Sequence, residues 1–138
     1  MASDTQAFQD AFHTALVDWQ QANEPDLPMF YENGPEPDQA RVGDTFVMSE
    51  IRWYGASYIT VGSNPVTRDS GALSLNVYFR SGEGSARASE LIDSLRRLFK
   101  ARRLGHATLM ASQRTVPVWV GGWYRTGLLV PFELNSND

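Results

Sequence analysis

The sequence predicts a single α+β domain, a mostly antiparallel or mixed β-sheet packed against two amphipathic helices. Three observations carry that reading. Phe8, Phe12, Ala15, Leu16 and Trp19 recur at spacings of three and four, as one face of a helix requires. Ala88, Leu91, Ile92, Leu95, Leu98 and Phe99 form a second stripe of the same kind. Between them, Leu73, Leu75, Val77 and Phe79 alternate with Ser74, Asn76, Tyr78 and Arg80, the period of two that belongs to a strand with one buried face. A chain of 138 residues, 42% hydrophobic and 20% charged, has the size and composition for one modest core. No repeat or low-complexity tract divides it, so residues 1–138 read as one domain.

The elements follow in order. Ser3 with Gln6 three residues on forms a capping-box pattern, and Asp4 suits the positive end of the helix dipole, so the first helix is expected near 4–21. Pro25 and Pro28 cannot continue it. Met29-Phe30-Tyr31 can make one short strand before the loop around Gly34-Pro35-Glu36-Pro37. Strands are expected near 46–53, 58–61, 72–80, 106–116 and 123–133. The second helix is expected near 86–101, capped by Ser85, with Lys100, Arg102 and Arg103 in its last turn and Gly105 as terminator. Gly121-Gly122 reads as a turn into the last strand, which sets Tyr124, Thr126, Leu128, Val130 and Phe132 on one side. Pro131 implies an edge position or a bulge there, because proline donates no ladder hydrogen bond. The acidic loop 32–44 and the segment 62–71 have few apolar residues to offset the entropy of ordering and are expected to be mobile in an isolated subunit.

Several classes of function are excluded or left without support. The chain has no cysteine, hence no disulfide, thiolate nucleophile or cysteine-ligated metal, and fits a reducing cytoplasm. No run of about 18 apolar residues offers a membrane span, and the N-terminal residues lack the pattern of a secretory signal. A net charge of −4 argues against a sequence-reading nucleic-acid binder. His13 and His106 stand apart with no partner motif. Gly82-Glu83-Gly84 precedes a helix but lacks the Gly-Lys-Ser/Thr ending of a phosphate loop. The carboxylates Glu32, Glu36, Asp38 and Asp44 lack the spacing of a calcium loop. No catalytic set, cofactor site or metal site is therefore expected. Trp53, Tyr54, Tyr58, Trp119, Trp123 and Tyr124, by contrast, lie near loops and strand ends, and such residues are enriched at protein interfaces.

Two longer stretches carry a resemblance. Gly71-Ala-Leu-Ser-Leu-Asn-Val-Tyr-Phe79 leads through Gly82-Glu-Gly84 into Ala86-Arg-Ala-Ser-Glu-Leu-Ile-Asp-Ser-Leu-Arg-Arg-Leu-Phe99. This resembles the central signature of phage tail-terminator proteins, a strand passing through a glycine loop into an Ala-x-x-Leu-x-Asp-x-Leu helix that ends in Phe. Gly122-Trp-Tyr-Arg-Thr-Gly-Leu-Leu-Val-Pro-Phe-Glu133 is similar to the family's last strand. The order of elements matches over nearly the whole chain; Thr115-Val-Pro-Val-Trp-Val120 is more apolar than the family's turn at that place. The resemblance implies a structural virion protein without enzymatic activity. It would form a ring, usually a hexamer, on the head-proximal end of the tail tube, assembled in the host cytoplasm. Its partners would be other copies of itself, the major tail tube protein and a head-completion or connector protein, with viral DNA crossing the lumen without specific binding. Another head–tail neck or completion protein is the nearest alternative, and a small ligand-binding or enzyme domain a more distant one.

A ring rests on heterologous contacts, in which one patch meets a different patch of the neighbour. Acidic residues dominate 24–50 and basic residues dominate 87–114. Glu32, Glu36 and Asp38 on one side, and Arg96, Arg97, Lys100, Arg102 and Arg103 on the other, are thus the expected interface residues. The simpler reading of both groups is solvated surface, the basic one balancing a helix dipole.

Overall fold

A computed structural model describes residues 3–32, 34, 43–80, 86–100 and 102–136. Helix α1 spans Asp4–Asn23. Ser3 has an extended backbone and its Oγ accepts a hydrogen bond from the Gln6 amide at 3.1 Å, the expected cap. Phe8, Phe12, Ala15, Leu16 and Trp19 are its buried face. The helix ends where the Glu24 amide closes a last bond to the Gln20 carbonyl, just ahead of Pro25.

Strand β1 (Met29–Tyr31) pairs in parallel with the start of β2 (Thr45–Tyr58). β2 turns back into β3 (Thr67–Arg80), and the two run antiparallel from Thr45↔Phe79 to Tyr58↔Thr67 with a bulge at Tyr54. The expected strand 46–53 therefore runs on to Tyr58, and of the expected strand 58–61 only that first residue is strand. The segment expected to be mobile, 62–71, is strand from Thr67 onward.

Helix α2 spans Ala86–Phe99 and buries Ala88, Leu91, Ile92, Leu95 and Phe99. It stops two residues short of the expected end. Arg96 and Arg97 occupy its last turn, while Arg102 and Arg103 lie beyond it. Gly105 does not terminate the helix. It sits at φ +59° in the tight turn between β4 (Arg103–Leu104) and β5 (Ala107–Leu109). The expected cap Ser85 and the Gly82-Glu83-Gly84 stretch lie outside the described residues.

The expected strand 106–116 is a broken edge instead: β5, then β6 (Gln113–Arg114), then β7 (Val118–Val120), all pairing antiparallel with β8 (Trp123–Ser136). Gly121 and Gly122, at φ +53° and +86°, make the turn between β7 and β8. The sheet order is β1-β2-β3-β8-β5-β4, with β6 and β7 on the β5 side of β8. Thus β8 is an interior strand, bonded to β3 from Trp123 to Ser136. Pro131 sits in it without cost to the β3 ladder. Its carbonyl accepts from the Met110 amide at 2.8 Å, so its missing N–H faces the break between β5 and β6. From Leu109↔Phe132 to Gln113↔Leu129, four steps of the edge oppose three of β8, a bulge in that ladder.

Both helices cover one face of this sheet, and the main core lies between them and Leu73, Leu75, Val77, Leu128, Val130, Phe132 and Leu134. The alternation in β3 and β8 is thus realised as expected. The opposite face holds a smaller cluster of Phe46 and Trp123, flanked by Phe30, Met48 and Tyr78, with the Arg80 guanidinium 4.4 Å from the Trp123 ring centre.

The two helix ends are tied by Arg87, whose guanidinium donates to both Glu24 carboxylate oxygens at 2.9 and 2.7 Å. Those bonds hold the Glu24 pKa below the ordinary carboxylate value against the opposing effect of burial. A lowered folded pKa contributes stability above the unfolded pKa that is lost as pH falls through the folded one. Arg87→Gln should therefore destabilise by about 0.2–1 kcal/mol at neutral pH, the range for exposed pairs. It should make no difference once Glu24 is protonated. Urea midpoints of both proteins, taken at pH 7 and across the acid range, check this.

Candidate subunit interface

The predicted basic residues come together in part. Arg96, Arg97 and Lys100 line a cleft of about 640 Å³ between the end of α2 and the strap 109–112, with Phe99, Leu109 and Met110 supplying its apolar lining. Arg96 donates from Nη2 to the Ser112 carbonyl at 3.1 Å, which fixes the strap against the helix. Asp93, also in the lining, is ion-paired with Arg114, so it leaves the three cations dominant. Arg102 and Arg103 are exposed but lie outside the cleft, because the helix ends before them.

On the acidic side, Glu32 directly follows β1 and is exposed. Its Oε2 accepts from the Ile51 amide at 3.4 Å, at the edge of β2 just beyond the last β1 pair. Glu36 and Asp38 lie outside the described residues. Ile51 pairs with Leu73, which pairs with Val130, while the cleft's strap flanks Leu129 to Phe132. Glu32 and the basic cleft therefore stand at the same height on opposite edges of the sheet. They cannot meet within one chain, but two copies side by side can bring them together.

A second recess, of about 230 Å³, lies beside Asp10, His13, Tyr31, Glu32 and Ser49. His13 packs its ring edge-on to Tyr31 at 4.5 Å. The Tyr31 hydroxyl is buried with no hydrogen-bond partner among the described residues, and burial pushes its pKa above the ordinary phenol value. A phenol made harder to ionise is a weaker acid, and the Ser49 hydroxyl beside it donates to the Phe30 carbonyl at 3.4 Å.

The surplus aromatics divide. Tyr54, Tyr58 and Trp119 are exposed, and Trp53 is exposed on one side while touching Phe8 and Phe132 on the other. Trp123 is corrected to core: it is only 2% exposed, stacked edge-on to Phe46 on the helix-free face. Tyr124 is half-buried between Phe79 and Trp119. The aliphatic members of the same surface, Ile59, Val61, Val116 and Val120, escaped notice in the sequence. A signal for them existed. Residues 53–67 and 115–124 contain no charged side chain, in a chain with 28 of them (12 basic plus 16 acidic). These two stretches hold eight of the nine large exposed hydrophobics among the described residues.

Among the described residues no helix is long and apolar enough to cross a membrane. No protein-family model and no curated protein matches the chain. Eighteen solved chains match its structure. One of these, which bears no descriptive name, superposes with a TM-score of 0.71 at 18% identity, covering 94% of each chain. At that identity the likeness concerns the fold alone, and it extends over nearly all of it.

Proposed function

We propose that this chain is a phage tail terminator, forming a ring that caps the head-proximal end of the tail tube and presents a docking surface to the head. The observation that carries the reading is the placement of the two family-like stretches. Strands 67–80 and 123–136 pair along their whole length at the centre of the sheet, and helix 86–99 packs over both. They act as one structural unit. The opposite charges on opposite edges support the same reading, since side-by-side copies would juxtapose them. The net charge of −4 suits a lumen through which DNA slides without being held.

Mass measurement and negative-stain microscopy of the purified protein, alone and with its cognate tube protein, test this. Closed rings are expected, seated at one end of tubes that stop growing. A monomer at every concentration, without effect on tube length, would favour the ligand-binding or enzyme alternative. Rings bound to the head but indifferent to tubes would favour a different neck protein.

The charged edges give a separate expectation. Exchanging Arg96 and Arg97 for Glu should weaken ring formation and invert its salt dependence while leaving the subunit folded. Adding Glu36→Lys and Asp38→Lys to that protein should restore part of the loss. Each pair contributes only about 0–1 kcal/mol, so the effect should be clear at low ionic strength and fade as salt rises. Ring yield by sedimentation across a salt series reads it out.

A further inference from the structure

The two uncharged stretches lie at opposite ends and opposite edges of one sheet. The β2–β3 hairpin carries Tyr54, Tyr58, Ile59 and Val61 to the end marked by Thr67↔Ser136. The β7–β8 hairpin carries Val116, Trp119 and Val120 to the end marked by Arg80↔Trp123. The fourteen residues of β3 separate the two ends by roughly 40 Å at about 3.3 Å per residue. Val61 is 99% exposed, Tyr58 73% and Trp119 66%, so neither tip is covered by its own subunit.

Both tips also have open strand edges. Among the described residues no strand pairs with the outer edge of β2 beyond Ser49, and none pairs with the outer edge of β7. Exposed edges are ordinarily guarded by charge or proline. From Trp53 to Tyr58 the β2 edge has neither, its one irregularity being the bulge at Tyr54, and β7 carries only the Pro117 that precedes it. β2 runs parallel in direction to β8, because each is antiparallel to β3, and β7 runs antiparallel to β8. Two copies in the same orientation, side by side, therefore present β2 and β7 to each other as antiparallel strands, the more stable pairing.

We infer that these tips are the two halves of one contact: the 53–67 hairpin of one copy lies along the 115–124 hairpin of the next, extending the sheet from subunit to subunit. The occupant is a second copy because the halves differ and sit on opposite edges. An isologous dimer would cover one kind of tip and leave the other in water, whereas a heterologous contact covers both in every subunit and propagates until it closes. The tips lie diagonally across the sheet, so each subunit must be offset along its strands from the last, an arrangement that parts Glu32 from the basic cleft and takes the place of the level, charge-paired contact. That offset is the stagger by which a sheet closes on itself into a barrel. The contact rests on the ring reading above and says which surface holds the ring shut.

The cysteine-free chain makes the test direct. Tyr54, Tyr58 and Val61 are each replaced by Cys in one set of proteins, and Val116 and Trp119 in another. All five sites are solvent-facing, and retention of the wild-type circular dichroism confirms folding. On mild oxidation, mixtures across the two sets should form disulfide-linked heterodimers at least roughly tenfold faster than any single protein forms homodimers, because only the mixture gains effective concentration from the contact. A chain with Tyr58→Cys and Trp119→Cys together should give a ladder ending at the ring size. Homodimers forming as fast as heterodimers would overturn the heterologous contact. Rings that persist while no cross-set pair links would overturn the inference and leave the ring reading intact. Absence of any oligomer in the unmodified protein would remove both.

Discussion

Replacing Leu95 with alanine should destabilise the fold by about 2–5 kcal/mol, the range for a large-to-small change in a packed core. Leu95 is fully buried in the middle of α2's inner face, one turn from Leu91 and Phe99. Beneath it lie the central strands β3 and β8, which cannot follow a single side chain inward because each is bonded along both edges. The cavity should therefore stay largely open, and the cost should fall toward the upper part of that range. Against a typical domain stability of about 5–15 kcal/mol, such a loss is large. Arg97→Ala, on the outer face of the same helix, should change stability by less than about 0.5 kcal/mol. Urea unfolding of both proteins decides the matter. A Leu95→Ala midpoint indistinguishable from that of Arg97→Ala would show that the helix does not pack as described.

Gly71→Ala is the second large effect, and it arises from overcrowding. A Cβ at Gly71 would lie 2.0 Å from the Arg52 carbonyl oxygen and 2.9 Å from the tip of the Phe132 ring. The first of these is backbone in the neighbouring strand, so relief requires β2 to move away from β3. Trp53 pairs with Gly71 across that ladder and shares the ring of Phe132, which in turn packs on Phe8. A shift there reaches α1. Overpacking of this kind costs about 1–3 kcal/mol, and backbone opposition should carry it to the top of that range or beyond. Gly55→Ala, at the next pair along the same hairpin, meets nothing within 4 Å and should be nearly neutral. Equal urea midpoints for the two alanine variants would reject the close approach at Gly71.

The contrast between these glycines shows what the sequence carried and what it did not. The two helices were legible because their apolar residues recur at helical spacing and Ser3 marks a start. The end of α2 was not, because the basic run through Arg103 continues the composition of a helix after its geometry has stopped. β3 was legible from strict alternation from Ala72 onward, while its first residues, Thr67 to Gly71, were not. The second half of β2 was hidden, since the bulge at Tyr54 breaks the period and Gly55, Ala56 and Ser57 have no strand preference. Their extended backbone is imposed by pairing with Arg68 to Ser70. Trp123 was misplaced for a related reason: alternation puts it on the helix-free face, and only the fold brings Phe46 there to bury it. The basic cleft was visible as a run of charges, but its strap comes from residues 109–112, which no local pattern connects to α2.

The interior position of β8 has a consequence for the order in which the chain acquires its structure. Its neighbours arise from segments on both sides of α2 in the sequence, and neither set is joined to the other until residues 123–136 settle between them. The β2–β3 hairpin can form early, from contacts close in sequence, but one flank of β3 and one side of the core stay open to water meanwhile. Closure waits on pairings such as Thr67↔Ser136, among the most distant in the chain. Long-range pairings of this kind slow folding and prolong the exposure of unpaired edges. A nascent chain thus displays its uncharged 53–67 segment well before its last strand has been synthesised, with one flank of β3 still unpaired.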